Sequence, residues 1–154
     1  MRTLPQSNLK LLIVDDDPNT RALLSEALEG RGAHVRASAS AHEARQTLVL
    51  WHPDMMISDV CMPHESGYDL IRRVRGLSPS EGGCIPAIAC TGYARAEDRA
   101  RAMDAGFDAV VAKPVDLDLL VETIAHVAGV RDPGEGGEAA AAGDDAARRS
   151  APDS

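Results

Sequence analysis

The sequence predicts an α/β fold in which five parallel strands form one doubly wound sheet with helices on both faces. Two observations support this prediction. Short apolar segments suited to buried strands alternate with longer segments whose apolar residues recur at helical spacing. Strands that alternate with helices pair in parallel, and right-handed crossovers then bring the carboxyl ends of all strands to one edge. The helices cover both faces of such a sheet.

Five segments carry the strand pattern. Each is short and largely apolar, which suits a strand buried inside the domain. They are residues 9–14, 33–37, 54–58, 86–90 and 108–112.

Five helices are predicted from capping residues and from the spacing of apolar residues. Asp17 is suited to cap the first helix, with Pro18 at its first position and Gly30 after its end. Ser40 and Glu43 form a capping-box pattern for the second helix. The other three are indicated by Leu70, Ile71 and Val74 before Gly76, by the Ala- and Arg-rich residues 94–105, and by Leu117, Leu120, Val121, Ile124 and Ala128.

Composition limits the classes of partner and compartment. The chain has 154 residues, of which 44% are hydrophobic, and it carries 24 acidic and 16 basic residues for a net charge of -8. This balance argues against direct binding to nucleic acid or to an anionic membrane surface. The odd number of cysteines, the absence of a signal-peptide pattern and the absence of a bilayer-length apolar run favour a cytoplasmic protein.

A change of composition near Gly129 predicts a domain boundary. Residues 129–154 contain five Gly and seven Ala but no Leu, Ile or aromatic residue, and their charges sum to -3. Such a segment buries too little apolar area to offset the entropy of ordering it. We therefore expect a lead at residues 1–7, one folded domain at residues 8–128, and a flexible acidic tail at residues 129–154.

Polar residues follow four of the predicted strands. They are Asp15, Asp16 and Asp17 after the first, Asp59 after the third, Thr91 after the fourth, and Lys113 after the fifth. Asp17 is better explained as a helix cap, but the other carboxylates meet at one edge. Two unit charges 4 Å apart interact by about 4 kcal/mol at an effective dielectric constant of 20, so a cation must lie among them. Lys113 is one candidate, and Mg²⁺ is the other because it prefers oxygen ligands.

Four segments, taken in order, resemble the response-regulator receiver domain of the CheY-like superfamily. They read "LLIVDDDPNTR", "DMMISDVCMPHESG", "PAIACTGYA" and "AKPV", and the resemblance covers roughly residues 8–128. It is strongest to the receivers of hybrid histidine kinases. The resemblance implies a flavodoxin-like (βα)5 fold with strand order 2-1-3-4-5.

The resemblance also implies a function and a role for each site residue. Asp59 would accept a phosphoryl group from a phosphohistidine on a histidine kinase or a histidine phosphotransfer protein. The other implied roles are Mg²⁺ binding by Asp15, Asp16, Asp59 and the carbonyl of Cys61, phosphoryl contacts from Thr91 and Lys113, and a cis peptide bond between Lys113 and Pro114. The chain would be a signalling phosphoacceptor rather than an enzyme, and its output would be an unknown partner protein.

Two positions depart from the family pattern. Receivers usually carry Tyr or Phe three residues before the lysine, whereas this chain has Val110. The residue after Lys-Pro is often Phe, whereas here it is Val115. The usual coupling between the phosphorylation site and the surface near the fifth strand is therefore in doubt.

Some of the same residues also allow other interpretations. The first strand also resembles that of a haloacid dehalogenase-type phosphatase, in which Asp15 would be the nucleophile and Asp17 the acid/base. A receiver-like fold that binds partners without phosphorylation is a second alternative. Cys61 and His64 have the spacing of half a zinc site, but no second pair accompanies them. Arg95, Arg99 and Arg101 form either a solvated helix face or a docking face for a partner.

Overall fold

The computed structural model describes Leu4, residues 8–92 and residues 94–131. Within these residues, five strands alternate with five helices. The elements are β1 (Lys10–Val14), α1 (Pro18–Glu29), β2 (His34–Ser38), α2 (Ala41–Trp51), β3 (Met55–Asp59), α3 (Gly67–Arg75), β4 (Ala87–Thr91), α4 (Ala96–Ala105), β5 (Ala109–Ala112) and α5 (Leu117–Arg131). A short 3-10 turn, Pro79–Glu81, lies between α3 and β4 and was not predicted.

The five strands form one parallel sheet in the order β2-β1-β3-β4-β5, which confirms the predicted fold. Most strands begin and end one residue later than the sequence predicts. Asp59 and Thr91 are therefore the last residues of β3 and β4 rather than the first residues of loops. The reason is that backbone pairing between strands includes these two residues although their side chains are polar. Asp59 pairs with Cys90, and Thr91 pairs with Ala112.

The predicted N-cap residues are present, but the predicted capping box of α2 is not closed, because the Glu43 carboxylate accepts the Ala39 N–H at 3.0 Å rather than the Ser40 N–H. The Asp17 carboxylate accepts a hydrogen bond from the Asn19 N–H at 3.1 Å, and Ser40 Oγ accepts one from the Glu43 N–H at 3.2 Å. At the other end of the domain, α5 runs through Gly129 to Arg131, three residues past the predicted boundary at residue 128. The predicted lead, apart from Leu4, and residues 132–154 of the predicted tail lie outside the described residues.

Two apolar layers hold the helices to the sheet. One layer joins the sheet to α2, α3 and α4, with Leu70, Ile71 and Val74 of α3 fully buried within it. The other joins the sheet to α1 and α5. The three central strands, β1, β3 and β4, are buried on both faces. The edge strand β2 is largely exposed at His34, Arg36 and Ala37, so the prediction that it is a buried strand was wrong. None of the helices in the described part of the chain has the length and apolarity needed to cross a bilayer.

Within the described residues, no disulfide joins any of the three cysteines. Cys61 and Cys84 are exposed, whereas Cys90 is buried in β4. Burial raises the pKa of the Cys90 thiol to about 12, so this group stays protonated and behaves as an apolar core residue.

Candidate functional site

The polar residues at the carboxyl edge of the sheet form a single pocket, as the sequence predicts. Asp15 follows β1, Asp59 ends β3 and Thr91 ends β4, and all three are buried although they are polar. Lys113 follows β5 and is half-buried. Buried polar groups are rare unless they are paired or functional. We call these four residues, with the exposed Asp16, the acidic pocket.

Three carboxylates and one ammonium group make up the charges of the acidic pocket. Asp15, Asp16 and Asp59 each offer an oxygen, and these oxygens all lie within 4.8 Å of one another. Lys113 Nζ lies 3.2 Å from Asp15 Oδ2 and 3.2 Å from Asp59 Oδ2. When all four groups are ionised, the pocket carries two more negative charges than positive ones.

Burial and the ion pair between Asp59 and Lys113 shift the pKa values of both groups. Burial raises the pKa of Asp59, although the Cys61 N–H, at 3.2 Å from Asp59 Oδ1, and the charge of Lys113 both favour its ionised form. Burial opposes the charged form of Lys113, but the charges of Asp59 and Asp15 outweigh it and raise the pKa of Lys113. Lys113 therefore stays an ammonium ion while Asp59 retains some tendency to bind a proton.

The donor set fits a hard divalent cation. Its side-chain ligands are carboxylates only, and Asp16 is exposed, so a bound ion would also keep water ligands, as Mg²⁺ prefers. Cys61 lies beside the pocket through its N–H contact with Asp59. Among the described residues, neither the Cys61 thiol nor His64 joins a cluster of metal-ligating side chains, so the structure gives no support to the zinc hypothesis.

Backbone contacts bring Thr91 and Lys113 to the same place. The Lys113 N–H donates to the Thr91 carbonyl at 2.8 Å, which joins the end of β4 to the loop after β5. The Lys113–Pro114 peptide bond is cis, as the resemblance implied.

Asp17 is a helix cap and not a member of the carboxylate cluster of the pocket. Its carboxylate accepts the Thr20 hydroxyl at 2.8 Å and the Asn19 N–H, and these hydrogen bonds lower the pKa of Asp17. A phosphatase would need this residue to exchange a proton as an acid and base near neutral pH. Its role as a helix cap disfavours the phosphatase interpretation.

Comparison with known proteins decides the family. Residues 11–125 match the model of the response regulator receiver domain. The chain belongs to this family. A putative response regulator from Chloroflexus aurantiacus superposes with a TM-score of 0.73 at 32% identity, and the match covers 79% of this chain and 98% of that one. The chemotaxis protein CheY4 of Vibrio cholerae superposes with a TM-score of 0.73 at 27% identity, covering 79% of this chain and 99% of that one.

The matches to two curated relatives cover very different shares of those proteins. An uncharacterized 14.6 kDa protein of Leptolyngbya boryana is 47% identical over 121 residues, which cover 78% of this chain and 89% of the relative. The sensor histidine kinase RcsC of Escherichia coli is 35% identical over 117 residues, 76% of this chain but only 12% of that protein. The similarity to RcsC therefore concerns a receiver domain of two-component systems and not the activity of the whole kinase.

The receiver domain contains two residues near the pocket that the sequence did not reveal. Gly67 begins α3 directly against β3, where an added Cβ would lie 2.3 Å from the Asp59 carbonyl oxygen. Arg21 lies on α1, and its Nη1 donates to the Asp15 carbonyl oxygen at 2.8 Å. A glycine at the start of a helix and an arginine one turn after an acidic cluster were the available signals. Neither the glycine nor the arginine indicates a role at the pocket unless the contact between its helix and the strand end is known.

The arginines of α4 are not a uniform solvated face. The Arg101 guanidinium lies over the Tyr68 ring, 4.0 Å from its centroid. Arg99 donates to the Ala94 carbonyl and to the Val110 carbonyl, each at 3.2 Å. At the position where the family usually has an aromatic ring, this receiver domain therefore has a half-buried valine whose backbone is tied to α4.

Proposed function

We propose that this chain is the phosphoacceptor of a two-component phosphorelay and that Asp59 receives the phosphoryl group. The observation that carries the proposal is the placement of Asp59 in a receiver domain. It ends the central strand β3, it is buried, and it lies against the Lys113 ammonium group within a cluster of three carboxylates. Asp59 combines a nucleophilic oxygen with surroundings that favour bound positive charge.

The proposed transfer proceeds from a phosphohistidine on the donor protein. A carboxylate oxygen of Asp59 forms a bond to phosphorus while the bond from phosphorus to the histidine nitrogen breaks. The electron pair of that bond returns to the imidazole ring, which then takes a proton from solvent. Asp59 becomes an acyl phosphate. The reaction requires the ionised form of Asp59, which the nearby Lys113 favours.

The other pocket residues stabilise the negative charge of the phosphoryl group. Lys113 is placed to pair with one phosphoryl oxygen, and the Thr91 hydroxyl is assigned a hydrogen bond to another. Asp15, Asp16, Asp59 and the Cys61 carbonyl would hold Mg²⁺. When bound, this ion supplies positive charge that neutralises the equatorial phosphoryl oxygens.

The proposal extends to partners, compartment and domain limits. The donor is a histidine kinase or a histidine phosphotransfer protein, and the output is a partner protein that distinguishes the two phosphorylation states. We assign the receiver to residues 8–131, where α5 ends, and we place it in the cytoplasm. The chain promotes only its own phosphorylation and dephosphorylation and does not act on a separate substrate.

Intact mass spectrometry tests the proposal. Incubation of the full chain with Mg²⁺ and a small phosphodonor such as phosphoramidate should add one phosphoryl group, and EDTA should prevent the addition. Asp59→Asn should remove the addition, because the amide lacks the anionic nucleophile. Asp104→Asn, which changes an exposed acid on α4, is the matched control and should react as the wild type does. Equal phosphorylation of wild type and Asp59→Asn would overturn the proposal.

A further inference from the structure

We propose that Arg21 is a positioning residue that orients Asp16 for metal binding. The inference deepens the proposed function, because it rests on a divalent cation in the acidic pocket. Arg21 is half-buried on the first turns of α1 and does not contact the Asp16 carboxylate. It acts through the peptide group that precedes Asp16.

The peptide group before Asp16 is held by Arg21. Arg21 Nη1 donates to the Asp15 carbonyl oxygen at 2.8 Å, and this oxygen belongs to the peptide bond that joins Asp15 to Asp16. The orientation of that peptide plane sets the direction in which the chain enters Asp16. Because Arg21 belongs to α1, its hydrogen bond to the Asp15 carbonyl restrains rotation of this peptide plane relative to the helix.

The peptide group after Asp16 is held by the pocket itself. The Asp17 N–H donates to Asp15 Oδ1 at 2.9 Å, and this N–H belongs to the peptide bond that joins Asp16 to Asp17. The other Asp15 oxygen lies 3.2 Å from Lys113 Nζ. Asp16 is thus fixed through both flanking peptide groups, while its side chain stays exposed. Arg21 contributes its contact from α1, outside the loop between β1 and α1.

Positioning and simple electrostatics predict opposite effects for the loss of Arg21. As a cation near the pocket, Arg21 repels a divalent ion, so removal of its charge alone would strengthen Mg²⁺ binding. If Arg21 fixes Asp16, the removal of Arg21 would weaken Mg²⁺ binding. Loss of a group that orients a metal ligand typically lowers metal affinity by about tenfold or more. The sign of the change in affinity therefore separates the two roles.

The experiment measures the dissociation constant of Mg²⁺ for the full-length protein by calorimetry. Arg21→Gln should weaken binding by about tenfold, and Arg21→Lys should weaken it less, since the ammonium can still reach a carbonyl but lacks the rigid fork. Arg31→Gln is the control with the same change in charge. Arg31 Nη1 donates to the Ala27 carbonyl near the other end of α1, so this variant should bind Mg²⁺ as the wild type does.

A double-mutant cycle shows whether the effect passes through Asp16. In the Asp16→Asn background, Arg21→Gln should change the Mg²⁺ affinity by less than about twofold, because the ligand that Arg21 orients has lost its charge. Unchanged or stronger Mg²⁺ binding by Arg21→Gln, or an equal tenfold loss in the Asp16→Asn background, would overturn the inference. If Arg21→Gln fails to fold, the cycle with Arg21→Lys decides by the same criteria.

The result is independent of phosphorylation. If the wild type binds Mg²⁺ but accepts no phosphoryl group, the proposed function fails while the Arg21 cycle still supports or overturns the positioning role. If the wild type binds no Mg²⁺, the inference about Arg21 fails whatever the outcome of the phosphorylation assay.

Discussion

Two charged clusters lie at opposite edges of the same sheet, and they use their charges differently. At the amino edge, Arg75 and Asp108 form an ion pair at 3.2 Å, which we call the amino-edge cluster. The remaining Arg75 donors go to the carbonyls of Gly106 at 2.9 Å, Gly83 at 3.0 Å and Ile85 at 2.6 Å. The Asp108 carboxylate also accepts the Ala87 N–H at 2.9 Å. One positive charge meets one negative charge, and both groups also form hydrogen bonds with the backbone.

The acidic pocket at the carboxyl edge has the opposite character. It gathers three carboxylates around the Lys113 ammonium group, so negative charge exceeds positive charge. A balanced cluster whose bonds join loops to strands stabilises the fold. A cluster with uncompensated charge costs stability, and it is kept where a ligand supplies the missing charge. The balance of charge, rather than the number of charged residues, therefore separates the two roles.

The largest expected effect on stability is the loss of the amino-edge cluster. Arg75→Ala should lower the free energy of unfolding by about 3 kcal/mol, because it removes the guanidinium group that pairs with a half-buried carboxylate and donates to three carbonyls. Urea unfolding measures this change. Arg72→Ala is the control: Arg72 forms an exposed pair with Asp69 at 3.7 Å, so its loss should cost less than about 0.5 kcal/mol. Equal losses in the two variants would contradict a structural role for Arg75.

A smaller effect is expected from filling the acidic pocket with metal. At ten times its dissociation constant, Mg²⁺ should raise the free energy of unfolding of the wild type by about 1.4 kcal/mol. Asp16→Asn should lose most of this gain, since one charged oxygen ligand is gone. The measurement compares urea unfolding in Mg²⁺ with unfolding in EDTA. Equal stabilisation of wild type and Asp16→Asn by Mg²⁺ would contradict the claim that a cation bound in the acidic pocket compensates its excess negative charge.

The pH dependence of stability should also reveal the uncompensated charge. The pKa of Asp59 is raised by burial, so the folded state binds its proton more tightly than the unfolded state does. The stabilisation from this proton is fully present below the unfolded pKa of about 3.9 and is lost as pH rises through the folded pKa. Without Mg²⁺, Asp59→Asn should therefore be more stable than the wild type at pH 8, with a smaller difference at pH 4. Urea unfolding at both pH values tests this, and a difference that grows toward pH 4 would contradict it.

The smallest effect concerns the route from the pocket to the surface near β5. Val110 has no ring to relocate, so binding of a phosphoryl mimic should cause only small amide chemical-shift changes along residues 107–120. Heteronuclear NMR with and without the mimic measures them. Large shifts spread along this segment would show that signalling here does not need the aromatic ring, and the bonds from Arg99 to Val110 and Ala94 would then be the first contacts to examine.

Local sequence pattern was enough to predict an α/β fold with five parallel strands and the members of the acidic pocket. The apolar strands and their polar ends place Asp15, Asp59, Thr91 and Lys113 at one edge once the strands are parallel, and the structure has them there. The strand order came from the family resemblance, because apolar strands of similar length do not specify which neighbours pair. The predicted ends of β3 and β4 are one residue too early. Backbone pairing between the strands includes Asp59 and Thr91 although their side chains are polar.

The contacts that support the pocket could not be predicted from local pattern. Arg21, Gly67 and Arg75 act on residues of other elements, and the contact of Arg75 with Asp108 spans 33 positions in sequence. Arginine on a helix is ordinarily a solvated residue, and glycine at a helix start is ordinarily a matter of backbone freedom. Only the packing of α1 and α3 against the strand ends gives these residues their roles.

Mapping the phosphorylated residue tests the central claim most directly. The full chain is phosphorylated with a small donor in Mg²⁺, the acyl phosphate is reduced with borohydride, and the labelled peptide is located by mass spectrometry. The account predicts label at Asp59, no label at that position in Asp59→Asn, and impaired labelling or structural response in Lys113→Ala with Mg²⁺ binding largely intact. Label recovered on residues 15–17, or normal labelling in Asp59→Asn, would contradict the assignment of Asp59 as the phosphoacceptor.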